Sequence, residues 1–279
     1  MSTPPPLPAT IDGAAVTGSR PMGHGHAGPI LRLNLADGRV AVAKTGGGLA
    51  VEAAMLRDLA AAGWPVPPVW HAEPGLLVMA HVAADGRLDA PAQEHAAEVL
   101  ARLHAVPAAA YGYDYDTTIG PLYQPNPPSD DWHAFFAEHR LLHTARLARD
   151  EGAVDAAFAA AVERLAGRLP SLLGPPAPPA LIHGDLWTGN VLVRGGRLAA
   201  VIDPAMYRAD PEVELAFTTL FGTFGEPFFR RYQEIRPLRP GFHEARRPVY
   251  TLYPLLVHIR IFGSTYVAQA AAVLRRFAG

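Results

Sequence analysis

The chain has 279 residues, 49% of them hydrophobic and 18% charged, with 24 basic residues against 26 acidic ones and no cysteine. That length suits one large domain or two modest lobes with a real core, and the composition is that of an ordinary globular protein. No basic surplus exists to neutralise a nucleic-acid backbone, so no nucleic-acid partner is expected; without cysteine there is no disulfide-linked dimer, no thiolate nucleophile and no Cys-based zinc site.

Residues 1–10 are proline-rich and read as a disordered tail, with neither the basic start nor the apolar stretch of a secretory signal. No apolar run approaches the roughly 18 residues of a bilayer span, so no membrane partner is expected and the expected compartment is the cytoplasm. Three β-like runs follow, over 14–20, 30–35 and 39–44. The last two are joined by Ala36-Asp37-Gly38, a tight hairpin turn. A glycine-rich loop, PMGHGHAG (21–28), separates the first two. Residues 49–62 carry apolar side chains at helical spacing and stop at Gly63. Two further strands over 66–70 and 76–82 complete a small antiparallel sheet with one helix.

From residue 83 the pattern changes. An amphipathic helix spans 92–106, a loop rich in Tyr, Asp and Pro spans 111–131, and helices follow over 132–149 and 153–169. After the break GPPAPPA (174–180) come a strand, a polar loop, and strands over 191–193 and 198–202 around Gly195-Gly196. The remainder, from 211, is mostly helical and rich in aromatics. These elements predict an α+β chain of two lobes: a tail (1–10), a small lobe with an antiparallel sheet and one helix (11–82), and a larger, mainly helical lobe (83–279).

The chemistry concentrates in LIHGDLWTGNVLV (181–193), which sets Asp185 and Asn190 in a D-x4-N spacing. Phosphoryl transfer needs a carboxylate that orients the attacking hydroxyl and takes its proton, and oxygen ligands that hold magnesium on the nucleotide phosphates. Asp185 suits the first task. Asn190, with Asp203 at the end of the next hairpin in VIDP (201–204), suits the second. Magnesium prefers hard oxygens, which excludes the His183 nitrogen. An Asx-capped turn is the plainer reading of HGDLWTGN alone; the added Asn190 and Asp203 make it the weaker one.

Lys44 ends a β-run, where a lysine ordinarily reaches solvent. Glu52 on the first helix nevertheless offers the ion pair that sets an ammonium on nucleotide phosphates. Gly23 and Gly25 allow backbone N–H groups to approach phosphates, a weak signal by itself. Met79, Ala80, His81 and Val82, on the strand running into the interlobe hinge, offer backbone groups to an adenine edge; a plain buried strand is the alternative. ATP and Mg2+ are therefore the expected cofactors. His139 and His143, four apart on a predicted helix, lack an HExxH pattern and read as a packed or solvated face, as His24 and His26 read as loop residues rather than a metal site.

These residues, and longer stretches around them, resemble the fructosamine (ketosamine) kinases, a family of protein-kinase-like small-molecule phosphotransferases. HGDLWTGN matches the family's H-G-D-L-W-x-G-N. DPAMYRADPEVELA (203–216) resembles its D-P-A-x-Y…E-x-D-L-A, with Glu214 standing for the aspartate. TTIGPLYQPNPPSDDWHAFF (117–136) and the tail over 237–263 are similar too. The resemblance implies a protein-kinase-like two-lobe fold and ATP-dependent phosphorylation of the sugar 3-hydroxyl of ketosamines, free or protein-bound, which destabilises the adduct and amounts to deglycation. It implies Asp185 as the base, Asn190 and Asp203 as magnesium ligands, Lys44 and Glu52 as the ion pair, and Trp187 and His258 on the substrate side. A kinase of the same fold acting on an aminoglycoside, choline or a similar amine-bearing alcohol is the alternative. Val257 and Arg260 depart from asparagines expected around the tail histidine. His26 stands where some relatives carry a phosphate-loop cysteine, and His24 replaces a glycine.

Overall fold

Turn chemistry and period-two burial set the first lobe. In the computed structural model, which describes residues 6–279, strands β1 (Thr10–Ile11), β2 (Ala14–His24), β3 (Pro29–Leu35) and β4 (Val40–Thr45) precede helix α1 (Leu49–Ala61) and strands β5 (Val69–Glu73) and β6 (Leu76–Ala80). They form one antiparallel sheet in the order β1-β2-β3-β4-β6-β5. Successive side chains on a strand point to opposite faces. Ala41 and Ala43 of β4 therefore join Ile11, Leu33, Leu35, Leu76 and Val78 in a core on one side of the sheet. Val42 and Lys44 face the other side, where Leu49, Ala53 and Leu56 of α1 pack on Leu77 and Met79. Alternation alone thus turns Lys44 toward α1.

The tail is shorter than expected. Its residues 1–5 lie outside the described residues, while Leu7 packs against the sheet core and Thr10 pairs with Ala15. The neighbouring Ile11, almost fully buried, draws this edge strand in. The glycine-rich loop is also shorter, because β2 pairs with β3 as far as His24–Pro29 and only residues 25–28 turn.

The second lobe opens with α2 (Ala90–His104), capped by the Asp89 carboxylate accepting from Ala92 N at 3.1 Å. Strands β7 (Thr117–Ile119) and β8 (Leu122–Gln124) form a hairpin inside the stretch expected to be loop. Helix α3 (Trp132–Phe135) runs through a π-helical turn, Phe136–Leu142, into α4 (His143–Asp150). That wide turn holds Arg140, which is fully buried, reaches the Pro125 carbonyl at 2.7 Å, and lies 3.9 Å over the Tyr207 ring.

Helices α5 (Ala156–Ala166) and α6 (Leu169–Leu173) follow, then β9 (Ala180–Ile182), β10 (Val191–Arg194), β11 (Arg197–Val201) and β12 (Tyr207–Ala209). β9 pairs with β12 and β10 with β11, so the loops after β9 and β11 emerge side by side. Helices α7 (Glu212–Leu220), α8 (Glu226–Ile235), α9 (Arg247–Phe262) and α10 (Val267–Phe277) complete the lobe. Residues 249–257 of α9 are buried without exception and form its centre. Among the described residues no helix is long and apolar enough to cross a membrane.

Candidate active site

The loop between β9 and β10 is pinned from below. His183 is fully buried, with Nε2 2.9 Å from the Ile202 carbonyl and Nδ1 3.3 Å from the Asp185 amide. A carbonyl only accepts and an amide N–H only donates, so the proton sits on Nε2. Burial lowers the pKa of this imidazole, and a neutral ring serves both bonds. Gly184 has φ 83°, and a side chain there would place its Cβ 2.1 Å from the Ala205 carbonyl oxygen, so only glycine fits. Its N–H donates to Glu214 Oε1 at 2.9 Å. This turn presents Asp185 to the space between the lobes.

Asn190 Nδ2 donates to the Asp185 backbone carbonyl at 2.8 Å and to its Oδ2 at 3.1 Å. With both amide hydrogens engaged, Asn190 Oδ1 is left without a protein partner among the described residues. Burial pushes the Asp185 carboxyl up to about 7; the Asn190 bond works against that shift and the Asp203 charge adds to it.

Asp203 follows β11 in the left-handed region, at φ 54°, a conformation that aspartate adopts more readily than most side chains. There it meets Lys44, whose ammonium also bonds Glu52 Oε1 at 2.6 Å. Burial disfavours that ammonium, yet the Glu52 and Asp203 charges outweigh burial and raise its pKa. Glu52 moves upward as well, chiefly through burial and against the pull of Lys44.

Asp185, Asn190, Asp203, Lys44, Glu52 and Trp187 line one cleft of about 340 Å3 between the lobes. The Trp187 ring packs against Gly189, where any side chain would strike it, and remains 43% exposed. Asn190 Oδ1 and the Asp203 carboxylate are hard oxygens lining the same cleft, the donor type that magnesium prefers. Among the described residues no group of three or more His, Asp or Glu is disposed to hold a metal by itself.

The remaining sequence-derived residues divide. Gly25 lines the cleft and closes the tip of the loop through its N–H to Gly28 O at 2.9 Å. Gly23 does not line it: it sits in β2 opposite Ile30 with open space beside it, so nothing there demands glycine. The glycines that geometry requires are Gly28 and Gly46, where the loop passes so close to the end of β4 that a Cβ would fall 2.5 Å from Thr45 O or 1.7 Å from Ala27 O. In the hinge, the Ala80 and His81 N–H groups already donate to Pro68 O (2.9 Å) and Val40 O (3.0 Å), and the Met79 side chain packs under α1. Sheet pairing thus removes those two donors from an adenine edge and leaves the Val82 N–H. His258 lies on α9 outside the cleft lining. Val257 is buried in the core and Arg260 bonds Glu151 through two nitrogens, at 3.0 and 2.6 Å, so neither departure faces the cleft.

Sequence reasoning missed the far wall of the cleft: Thr118, Gly120 and Pro121 from the β7–β8 hairpin, and Gly47 and Gly48 at the start of α1. The run TGGGL (45–49) before an amphipathic helix was the available signal for the second group.

Comparison with known proteins places the chain in a family. A family model described as fructosamine kinase matches residues 49–278. A Synechocystis protein named "Probable ketoamine kinase" is 42% identical over 179 residues, covering 63% of this chain and 59% of that protein, so the match spans about three-fifths of that relative's length. The crystal structure of a candidate fructosamine-3-kinase from Thermobifida fusca superposes with a TM-score of 0.87 at 35% identity, over 95% of this chain and 94% of the other. An aminoglycoside phosphotransferase crystallised with ADP and hygromycin B shares the fold at 18% identity, with a TM-score of 0.67 over 95% and 96% of the two chains.

Proposed function

The chain belongs to the fructosamine kinase family, and we propose that it transfers the γ-phosphate of ATP to the sugar 3-hydroxyl of a ketosamine, free or protein-bound. The observation that carries this reading is the cleft, in which Asp185 faces the space that Lys44, Asn190 and Asp203 also line. Asp185 takes the proton of the 3-hydroxyl as that oxygen bonds the γ-phosphorus and the bond to ADP breaks. A carboxyl with a pKa of about 7 is largely protonated in acid and ionised in mild base, so the base is ready only from neutral pH upward. Lys44, steadied by Glu52, offers its ammonium to the phosphates, and the turn at residues 25–28 closes over them. Asn190 Oδ1 and Asp203 would hold magnesium, which supplies neutralisation of phosphate charge when bound. Val82 N–H is the hinge donor for the adenine edge. The absence of cysteine fits a reducing compartment such as the cytoplasm.

The test is ADP release with Mg·ATP against ribulose- and fructose-lysine, choline and an aminoglycoside. Turnover on a ketosamine that disappears in Asp185→Asn is the expected result. Turnover only on choline or the aminoglycoside would keep the phosphotransfer residues and discard the ketosamine.

A further inference from the structure

Helix α1 is shared between two cores. Leu49, Ala53 and Leu56 pack on the sheet of the first lobe, while Met55 and Leu59 belong to the core of the second. Glu52, Met55 and Asp58 follow at three-residue spacing along one stripe of the helix, and the first two line the cleft.

Asp58 ends that stripe, and its bonds cross to the other lobe. Tyr113 and Tyr115, between α2 and β7, both donate their hydroxyls to Asp58 Oδ2, at 3.0 and 2.7 Å. Burial, and then the bond to Asp58, raise the pKa of both phenols, so both stay donors. The tyrosines are fixed before they meet α1. Gly112 and Arg208 of β12 exchange backbone hydrogen bonds at 2.9 and 2.7 Å, the Arg208 guanidinium lies 4.6 Å over the Tyr113 ring, and the two tyrosine rings meet edge-on at 5.0 Å. The helix itself gains nothing from Asp58, because a negative charge in the last turn opposes the helix dipole. What the carboxylate does is join the lobes.

Resting on the phosphotransfer reading of the cleft, we propose that Asp58, Tyr113 and Tyr115 are positioning residues: they clasp α1 to the second lobe and so keep Glu52 against Lys44. The helix that carries Glu52 then cannot shift with the sheet alone, and the ammonium stays aimed at the nucleotide phosphates. The same tyrosine segment runs directly into β7, whose Thr118 lines the opposite wall of the cleft.

The test is a double-mutant cycle between Asp58→Ala and Glu52→Gln, reading kcat/KM for ATP at saturating ketosamine. Alone, Asp58→Ala should lower that value about tenfold, and Tyr113→Phe with Tyr115→Phe should do the same, since a hydrogen bond to a charged group is lost in each case. Once Glu52 is replaced, Asp58→Ala should cost less than about twofold more, because the clasp acts through Glu52. Asp58→Asn, whose Oδ1 can still accept from both hydroxyls, should keep at least about half of the wild-type value. Asp58 is half-buried and the phenylalanines keep both rings, so the variants fold, which urea denaturation verifies. A wild-type value in Asp58→Ala, or an equal loss with and without Glu52, overturns the clasp and leaves the phosphotransfer reading standing. A wild type that turns over no substrate overturns that reading and the clasp with it.

Discussion

In the cleft, one ammonium (Lys44) faces the carboxylates of Glu52 and Asp203, with Asp185 beside them; beneath α7, two guanidiniums (Arg239 and Arg246) face the carboxylates of Asp210 and Glu212. The lower cluster matches charge for charge and fills its bonds. Glu212 accepts from the Arg239 backbone N at 3.0 Å and from both guanidiniums, and Asp210 accepts from Arg239, from Tyr250 and from the Ala177 and Glu212 amides. Burial works against the Glu212 charge, but Arg246 and Arg239 outweigh it and hold the carboxyl below its ordinary value. The cleft has three carboxylates to one cation, an Asp203 in the left-handed region and an Asp185 driven to about 7. A cluster that only holds the fold neutralises itself. The cleft cluster instead keeps a negative surplus.

The sharpest break in this comparison is Asp185→Asn. The amide keeps shape and hydrogen bonding but cannot take a proton, so turnover should fall by up to about 10⁴-fold, equivalent to about 5.5 kcal/mol in the barrier. Nucleotide affinity, measured by calorimetry, should stay within a few-fold. Wild-type turnover in this variant would remove Asp185 from the base role.

Much of the cleft was legible because its parts are local. Asp185, Asn190 and Asp203 fall on one strand–loop–hairpin segment, and Lys44 and Glu52 on one strand and the next helix, where period-two and helical spacing decide which way each side chain points. Parts that depend on distant segments were hidden. Thr118 and Gly120 enter the cleft from a hairpin that precedes the catalytic loop by some 60 residues, read from sequence as a loop rich in proline and tyrosine. Gly28 and Gly46 are required only because two loops touch. The hinge donors of Ala80 and His81 are engaged through partners, Pro68 and Val40, that no local pattern announces. The π-helical turn at 136–142 carries a fully buried Arg140, against the ordinary preference of a long charged side chain for the surface, so no local pattern announces it.

Glu212→Ala tests the balanced cluster. It strips the buried guanidinium of Arg246 and the half-buried one of Arg239 of their shared partner, and breaking a buried ion pair from one side costs about 3–5 kcal/mol in unfolding free energy. Glu52→Gln removes a carboxylate whose burial already outweighs the pull of Lys44 and leaves Lys44 bonded to Asp203, so it should cost clearly less than Glu212→Ala. Urea denaturation of the two variants measures both. Equal losses would mean that the cleft cluster is as structural as the lower one.

The smallest effect is also the most specific, because it reads the surplus charge itself. The folded-state pKa of Asp185, about 7, lies above the ordinary value of 3.8. Between those two values the folded protein holds a proton that the unfolded chain has released, so by linkage this group makes the fold less stable as pH rises through the window, and the full cost is present above about 7. Asp185→Asn carries no charge and escapes it. The variant should therefore gain on the wild type as pH rises, by an amount that increases from pH 5 to 7 and levels off by about 8.5, reaching on the order of 1–3 kcal/mol in urea-unfolding free energy. The kcat/KM of the wild type should rise over the same range and level off above about 7, since ionisation that strains the fold also readies the base. A stability difference that does not change between pH 5 and 8.5 would mean that Asp185 ionises as an ordinary carboxylate, and the contrast between the two clusters would then rest on geometry alone.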